Sequence, residues 1–244
     1  MRWVPVLVFG FAACASATPS GGAPGEPDAA QPEIDSSVVV LDAPPPQLDA
    51  QPIDGSIEPP VPVDVTISQT TNNTIAAPNT VACVDFFDAT TEHSYYRVFP
   101  LADYGITGDF HVKSVQFAVE AAESGSGTTQ GATINVGTYT GAIAANTATL
   151  AGGQWFPAAS AGVTVSDGAS MMMNVPIDVV IPAGSKLMVE LRSPDDGNRF
   201  FPGSNKSGET YPSFVRMPAC EDGINSYTTL GYDVDLVMTV TGTK

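Results

Sequence analysis

Hydrophobic and polar residues alternate in short segments along most of the chain, and Gly, Pro, Asn and Asp separate these segments. In residues 186–192 (KLMVELR), Leu187, Val189 and Leu191 lie on one side of an extended chain, and charged residues lie on the other. Alternation with a period of two is typical of an antiparallel strand with one buried face. The same alternation recurs in residues 115–120 and 234–241.

The turns between these segments predict how the strands connect. Residues 179–181 (VVI) and the strand at 186–192 are separated by residues 182–185 (PAGS), in which Gly favours a positive φ. We therefore expect a hairpin with two adjacent strands. Roughly eight to ten strands of this kind, without helical spacing between them, predict an all-β domain over residues 65–244. Its expected architecture is an antiparallel β-sandwich, similar to a jelly roll.

Residues 1–17 have the features of an export signal. Residues 4–13 form an apolar run that follows Arg2 and is too short to span a bilayer. The FAAC sequence that ends at Cys14 resembles the lipobox of bacterial lipoproteins, which predicts lipidation of Cys14. The alternative is cleavage after Ala17, which would release a secreted protein. We thus expect a protein that is lipid-anchored at the outer membrane and cell surface, or secreted.

Residues 18–64 are rich in Pro and Ala, and they contain nine Asp or Glu residues and no Lys or Arg. Such a segment buries too little apolar surface to offset its ordering entropy, so it is predicted to be a disordered linker before the sandwich. In an extended polyproline conformation it would reach on the order of 150 Å. Its composition resembles the linkers that follow the lipobox in lipoproteins of predatory and soil-dwelling Gram-negative bacteria.

The chain has three cysteines, which bear on both localisation and stability. If Cys14 carries lipid, only Cys83 and Cys220 remain, near the two ends of the predicted domain. An exported chain is expected to pair them as a disulfide. In the chain-entropy model a loop of this length contributes at most about 5 kcal/mol to stability.

The net charge of −17 and the pI near 4.1 restrict the partners. An acidic chain is repelled by phosphate backbones and by anionic lipid, which argues against binding to nucleic acid and against docking on acidic membranes. Contact with a membrane is expected only through the N-terminal lipid anchor. Neutral and cationic surface or extracellular ligands, glycans among them, remain open.

Five segments carry a resemblance to known proteins, namely residues 93–110 (HSYYRVFPLADYGITGDF), 112–120 (VKSVQFAVE), 181–185 (IPAGS), 200–205 (FFPGSN) and 212–220 (PSFVRMPAC). Together they resemble an accessory module of secreted, multidomain surface proteins of environmental bacteria. This resemblance implies an extracellular β-sandwich with no established activity, often found beside hydrolases or adhesion repeats. The pairing of Cys83 with Cys220 also fits the module.

The sequence contains no recognisable catalytic motif. His93 and His111 are the two histidines, and neither a Gly-x-Ser-x-Gly elbow nor a His-Glu-x-x-His pair occurs. Glu120 and Glu190 are candidates for a glycosidase pair, but the strand alternation places both on solvent-facing positions. We therefore predict a protein that is not an enzyme.

Arg97 is expected to be a buried charge, because it lies between Tyr96 and Val98 in a predicted strand. A carboxylate nearby in the sequence, Asp103 or Asp109, is the expected partner. The role of this pair is predicted to be structural.

Two segments offer the hard oxygen ligands that Ca²⁺ prefers, and no other cofactor is predicted. Each segment has a Gly for the turn, although Asp, Asn and Gly are also what ordinary turns require. Neither matches a helix-loop-helix calcium site. The candidate ligands are Asp195, Asp196, Asn198, Glu221, Asp222 and Asn225.

The predicted function is that of a non-catalytic cell-surface or secreted β-sandwich module acting in adhesion or envelope interaction. The alternative is a calcium-assisted carbohydrate-binding module. Trp155 follows a Gly-Gly-Gln loop, which makes it the candidate aromatic platform for a sugar. An exposed Trp155 beside a polar groove would favour the alternative, and a buried one would weaken it.

Overall fold

The computed structural model describes residues 61–244, and the predictions for the leader, for Cys14 and for most of the linker lie outside this range. The described residues form an all-β fold in which every pair of neighbouring strands is antiparallel. This confirms the predicted fold class. In this part of the chain no helix is both long and apolar enough to cross a membrane.

The described residues contain fourteen β-strands and two short 3₁₀ turns, at Leu101–Tyr104 and Gly152–Gln154. The strands are β1 (Asp64–Ser68), β2 (His93–Pro100), β3 (Phe110–Glu123), β4 (Thr129–Tyr139), β5 (Thr149–Leu150), β6 (Trp155–Ser166), β7 (Gly168–Ile181), β8 (Lys186–Ser193), β9 (Arg199–Pro202), β10 (Ser204–Asn205), β11 (Phe214–Met217), β12 (Glu221–Ser226), β13 (Asp235–Leu236) and β14 (Met238–Thr243). The longest strands are β3 and β7, with fourteen residues each.

Two large sheets pack against each other. The first sheet has the strand order β1-β14-β3-β7, with β9 beside the end of β3. The second sheet has the order β5-β12-β11-β2-β8-β4-β6, and β10 and β13 form a small separate pair. Side chains from both large sheets, such as Phe117 on β3 and Val189 on β8, belong to one continuous buried core.

The alternation predicted for residues 186–192 is confirmed in β8. Leu187, Val189 and Leu191 are fully buried between the sheets, whereas Glu190 and Arg192 lie on the outer face. β8 pairs with β2 on one side and β4 on the other, so it is a central strand. This position explains why its inward residues are all large and apolar.

The prediction of a hairpin around residues 182–185 is correct for the turn and wrong for the pairing of the two strands. The turn exists, because the Ser185 N–H donates to the Pro182 carbonyl at 3.1 Å and Gly184 has a φ of 73°. However, β7 pairs with β3 in the first sheet, and β8 belongs to the second. The turn chemistry reverses the chain direction but does not determine which strand becomes the hydrogen-bonded partner.

The single strand predicted over residues 234–241 is divided into two strands. β13 pairs with β10 and β14 pairs with β1 and β3, so the two strands belong to different sheets. Asp235 and Thr239, which the alternation places in solvent, are buried. The Asp235 carboxylate accepts a hydrogen bond from the Gly208 N–H at 2.7 Å, which satisfies it away from water.

Arg97 is buried as predicted, but its partner is different. Its side chain is fully buried and its Nη1 lies 2.6 Å from a carboxylate oxygen of Glu209. Asp103 instead accepts a hydrogen bond from the Tyr211 hydroxyl, and Asp109 accepts one from a backbone N–H of the turn after β7. The fold brings in a carboxylate that lies 112 residues further along the chain.

The two ends of β3 mark the two ends of the sandwich. Asp64 at the start of β1 pairs with Thr243, which in turn pairs with His111 at the start of β3. The last residue of β3, Glu123, pairs with Arg199. Because a strand rises about 3.3 Å per residue, these ends are roughly 40 Å apart. The chain therefore enters the domain at the end opposite Arg199.

Candidate functional site

A short hairpin at the Arg199 end exposes two adjacent aromatic side chains. We call residues 84–90 the Phe loop. Val84 and Thr90 form an isolated antiparallel bridge, and Phe86 and Phe87 lie at the tip between them. Their exposed fractions are 95% and 84%. No other large hydrophobic side chain in residues 61–244 is exposed by more than four fifths.

The conformation of the Phe loop follows from its two aspartates. One carboxylate oxygen of Asp85 accepts hydrogen bonds from the Phe87 N–H at 2.8 Å and the Ala89 N–H at 2.9 Å, as Asp commonly does in tight turns. The Asp85 N–H donates to the Ala89 carbonyl at 2.8 Å. Asp88 has a φ of 69°, a left-handed conformation that Asp tolerates better than most residues. The loop is therefore held by its own hydrogen bonds.

The base of the Phe loop is fixed to the domain by a disulfide and a histidine. Cys83 is bonded to Cys220, which confirms the predicted disulfide. His93 is fully buried, and its Nε2 accepts a hydrogen bond from the Cys83 N–H at 2.6 Å. Its Nδ1 lies 2.6 Å from the Thr91 carbonyl oxygen. The neutral ring with the proton on Nδ1 satisfies both contacts, and burial lowers the pKa of His93 below its usual value.

Arg199 connects the Phe loop to the end of β3. Its guanidinium lies 3.2 Å from the carboxylate of Asp88 and 3.0 Å from that of Glu123. It also lies 5.2 Å from the centre of the Phe201 ring, within the range of a cation–π contact. The Arg199 guanidinium therefore contacts the Phe loop through Asp88 and the sandwich through Glu123 and Phe201, and these contacts fix the position of the loop on the sandwich.

A shallow depression of about 290 Å³ lies beside the Phe loop, and Val84, Phe201 and Glu120 contribute to its lining. Glu120 is 9% exposed, and it accepts hydrogen bonds from the Asn79 N–H at 3.0 Å and the Thr80 hydroxyl at 3.1 Å. The prediction of a solvent-facing Glu120 was therefore wrong. Alternation along β3 places Glu120 on the outer face, but the segment around residues 79–80 covers it.

The two candidate calcium segments adjoin the base of the Phe loop. The Asn198 carbonyl accepts a hydrogen bond from the Thr90 N–H at 2.8 Å, and Cys220, at the start of the other segment, is bonded to Cys83. Several of the predicted ligands are used within turns instead. Asp196 accepts a hydrogen bond from the Asn198 N–H at 3.3 Å, and the Asn198 side chain accepts one from a backbone N–H of the β3–β4 connection.

In the second segment Glu221 and Asp222 are exposed, and the Asn225 amide donates to the Asp222 carbonyl at 2.8 Å. Within residues 61–244, no three His, Cys, Asp or Glu side chains are grouped so that they could hold a metal. Asp195 is exposed in the turn before β9. Calcium binding therefore stays a prediction.

Trp155 is partly buried instead of standing free at a loop. It packs against a second, smaller apolar cluster on the outer face of the second sheet, and it pairs with Tyr139 of β4. Its neighbour Phe156 is 53% exposed. The aromatic side chains most available to a ligand are therefore Phe86 and Phe87, which sequence reasoning missed. The signal that identifies them is an aromatic pair between two aspartates in a turn, outside any alternating segment.

The residues considered for catalysis are separated and engaged in other contacts. Both ring nitrogens of His93 are used by backbone groups, and His111 is exposed at the opposite end of β3. Glu190 lies on the outer face of the second sheet, as the alternation predicts, and is partly exposed. It accepts hydrogen bonds from the Tyr96 hydroxyl at 2.9 Å and the Asn135 amide at 2.8 Å.

Comparisons of the chain with protein-family models, curated proteins and solved structures found no match.

Proposed function

We propose that this protein is a non-catalytic cell-surface or secreted β-sandwich module that uses the Phe loop to contact a partner in adhesion or envelope interaction. The proposal rests on the exposure of Phe86 and Phe87 on a hairpin that is fixed by hydrogen bonds and by the disulfide. Large aromatic side chains often contribute most of the energy of an interface when they enter a desolvated site.

The rigidity of the Phe loop supports a binding role. Phe86 and Phe87 contribute little to the stability of the fold, because both side chains bury little surface. Their rings contact each other, edge to face, with centroids 5.4 Å apart. A loop whose shape is fixed before binding loses less conformational entropy on association than a mobile loop. An exposed aromatic pair on a fixed scaffold is therefore well suited to association.

The position of the Phe loop also fits surface display. It lies at the Arg199 end of the sandwich, whereas residues 61–64 join the domain at the other end, roughly 40 Å away along β3. If Cys14 carries a lipid and residues 18–64 act as a linker, this arrangement presents the Phe loop away from the point of attachment. The accessory module that the sequence resembles is also extracellular, which agrees with this arrangement.

A calcium-assisted carbohydrate-binding module is the second candidate. It is favoured by the contact of both acidic segments with the base of the Phe loop, through Asn198 and Cys220. A glycan array and a thermal unfolding scan, each with and without CaCl₂, test it. A rise in the unfolding midpoint with Ca²⁺ together with calcium-dependent glycan binding would support this candidate, and no change in either would contradict it.

Binding of the full-length protein to isolated cell-envelope fragments tests the main proposal. The double variant F86S/F87S is expected to lose about tenfold or more in apparent affinity, because both exposed rings are removed. The matched control is F156S, which removes a half-exposed phenylalanine from β6 and should bind like the wild type. Equal binding by F86S/F87S and the wild type would refute the proposal. Unchanged unfolding midpoints would show that both variants are folded.

A further inference from the structure

We propose that the Phe loop inserts into the surface of a phospholipid bilayer with neutral, zwitterionic headgroups. This inference rests on the proposed function and names the chemistry of the partner. Three properties of residues 84–90 lead to it, namely the shape of the tip, the satisfaction of its backbone and the distribution of charge around it.

The tip of the Phe loop is convex. Phe86 and Phe87 are 95% and 84% exposed, their rings are nearly perpendicular at 88°, and Val84 behind them is 41% exposed. A flat surface cannot cover both rings of such a wedge, whereas a fluid lipid surface deforms around it. Apolar side chains that enter the boundary between headgroups and acyl chains gain free energy in proportion to the area that leaves water.

Most of the backbone N–H groups of the tip are paired within the loop, without water. The N–H groups of Asp85, Phe87, Asp88 and Ala89 all donate to acceptors within the loop, at distances of 2.8 to 3.2 Å. An unpaired backbone N–H costs free energy when it leaves water, so most turns resist transfer to an apolar medium. This loop carries four paired donors in five residues, which lowers the cost of insertion.

The charges around the tip determine which lipid surface it can approach. Residues 84–90 contain two aspartates and no Lys or Arg, and the whole chain has a net charge of −17. The Asp85 carboxylate is turned inward to backbone N–H groups, and the Asp88 carboxylate is paired with Arg199. Anionic lipid would therefore repel the protein, while the ammonium groups of phosphatidylcholine or phosphatidylethanolamine are compatible with both carboxylates.

Vesicle binding by the full-length protein tests the inference. Sedimentation with phosphatidylcholine vesicles at millimolar lipid should carry down the wild type and F156S, and the partitioning of F86S/F87S should be lower by about tenfold or more. Replacing part of the phosphatidylcholine with phosphatidylglycerol should weaken binding of the wild type, most strongly at low salt. Lipidated and unlipidated protein are compared separately, because an acyl chain at Cys14 would bind vesicles without the Phe loop.

A tryptophan placed at the tip reports insertion directly. In the unlipidated F87W variant, brominated phosphatidylcholine should quench the new tryptophan and shift its emission to shorter wavelength. Both proteins carry W3F, so that the leader contributes no tryptophan signal. The protein without F87W, whose Trp155 packs against the second apolar cluster, serves as the control and should show neither change.

Three results would overturn the inference. These are equal sedimentation of F86S/F87S and the wild type, no vesicle binding by the unlipidated wild type, and stronger binding to phosphatidylglycerol than to phosphatidylcholine. If vesicle binding is absent while F86S/F87S still loses binding to envelope fragments, the proposed function stands and the partner is a protein or glycan. If the variant binds envelope fragments like the wild type, the proposed function itself fails.

Discussion

Replacing Arg97 with methionine removes the most extensively hydrogen-bonded buried charge in the described part of the chain. The guanidinium donates to the backbone carbonyls of Leu236 and Tyr211, to the side-chain oxygen of Gln69 and to the carboxylate of Glu209. Methionine fills a similar volume and donates to none of them. The variant R97M therefore leaves four acceptors without their donor in the interior.

The size of the effect follows from these contacts. Each lost hydrogen bond of a neutral acceptor costs about 1 kcal/mol, and the bond to a carboxylate costs more. The Glu209 side chain is only 15% exposed, so its charge would lose its partner in a poorly solvated position. Removing one partner of a buried ion pair typically costs about 3–5 kcal/mol. We expect R97M to lower the free energy of unfolding by this amount.

Urea unfolding with the disulfide intact, monitored by circular dichroism, measures this effect. The urea midpoint should shift, while the dependence of the free energy of unfolding on urea concentration stays unchanged. The control is K113M, which breaks the ion pair between Lys113 and Asp64, whose side chains are 54% and 74% exposed. Exposed pairs contribute little, so K113M should cost less than about 1 kcal/mol. A double-mutant cycle between Arg97 and Glu209, with E209Q as the second change, should show a coupling of about 1–3 kcal/mol.

The interpretation of Arg97 as a buried, structurally essential charge would be refuted if R97M and K113M cost the same. A coupling near zero in the cycle would show in addition that Glu209 is not its energetic partner. An R97M variant that is more stable than the wild type would mean that the desolvation cost of the ion pair exceeds the stabilisation from its hydrogen bonds.

Three further predictions concern stability. Replacing Cys83 and Cys220 with alanine should lower the free energy of unfolding by up to about 5 kcal/mol, measured against the oxidised wild type, and an unchanged midpoint would contradict this. Because burial lowers the pKa of His93, the unfolded chain takes up its proton at higher pH than the folded one. Stability should therefore be highest above about pH 6.5 and fall as the pH drops from there through the folded pKa, and H93Q should flatten this part of the profile in urea titrations between pH 4 and 8. In G137A the new Cβ would meet the backbone of β6, so we expect a loss of about 1–3 kcal/mol, whereas G131A on the same strand enters open space and should stay within about 0.5 kcal/mol in thermal unfolding.

Local pattern was sufficient for the class of fold and for the inward face of a central strand such as β8. Residues 186–192 show why, since Leu187, Val189 and Leu191 must share one side of any extended chain whatever the neighbouring strand is. The disulfide was likewise accessible from the sequence, because the predicted lipidation of Cys14 leaves Cys83 and Cys220 as the expected pair. These inferences depend only on the geometry of a strand and on composition.

The sequence pattern did not predict which strands and side chains contact each other across the fold. The turn at residues 182–185 reverses the chain between two sheets as readily as within one, so its sequence cannot identify the partner of β7. Arg97 pairs with Glu209 because the fold places the segment before β11 next to its side chain, and proximity in sequence to Asp103 carried no information about this. Glu120 became buried because residues 79–80 cover an outer face that alternation alone leaves in solvent.

The candidate site was the least predictable part of the molecule. The pattern favoured Trp155 because tryptophan is common in binding sites, but packing against a second apolar cluster on the outer face of the sheet partly buries it. Phe86 and Phe87 look like core residues in the sequence, since exposed phenylalanines are uncommon. Only the fold shows that the bridge between Val84 and Thr90 carries them away from the core.

The sequence by itself determined the all-β class, the inward faces of the central strands and the disulfide, because these follow from the period of the polypeptide and from the chemistry of its side chains. Only the tertiary structure decided which strands are neighbours, which charges are paired and which aromatic rings meet solvent. Those properties depend on contacts between segments far apart in the chain, such as Arg97 with Glu209 and Glu120 with Asn79. Such contacts are selected by the packing of the whole domain, and no local pattern encodes them.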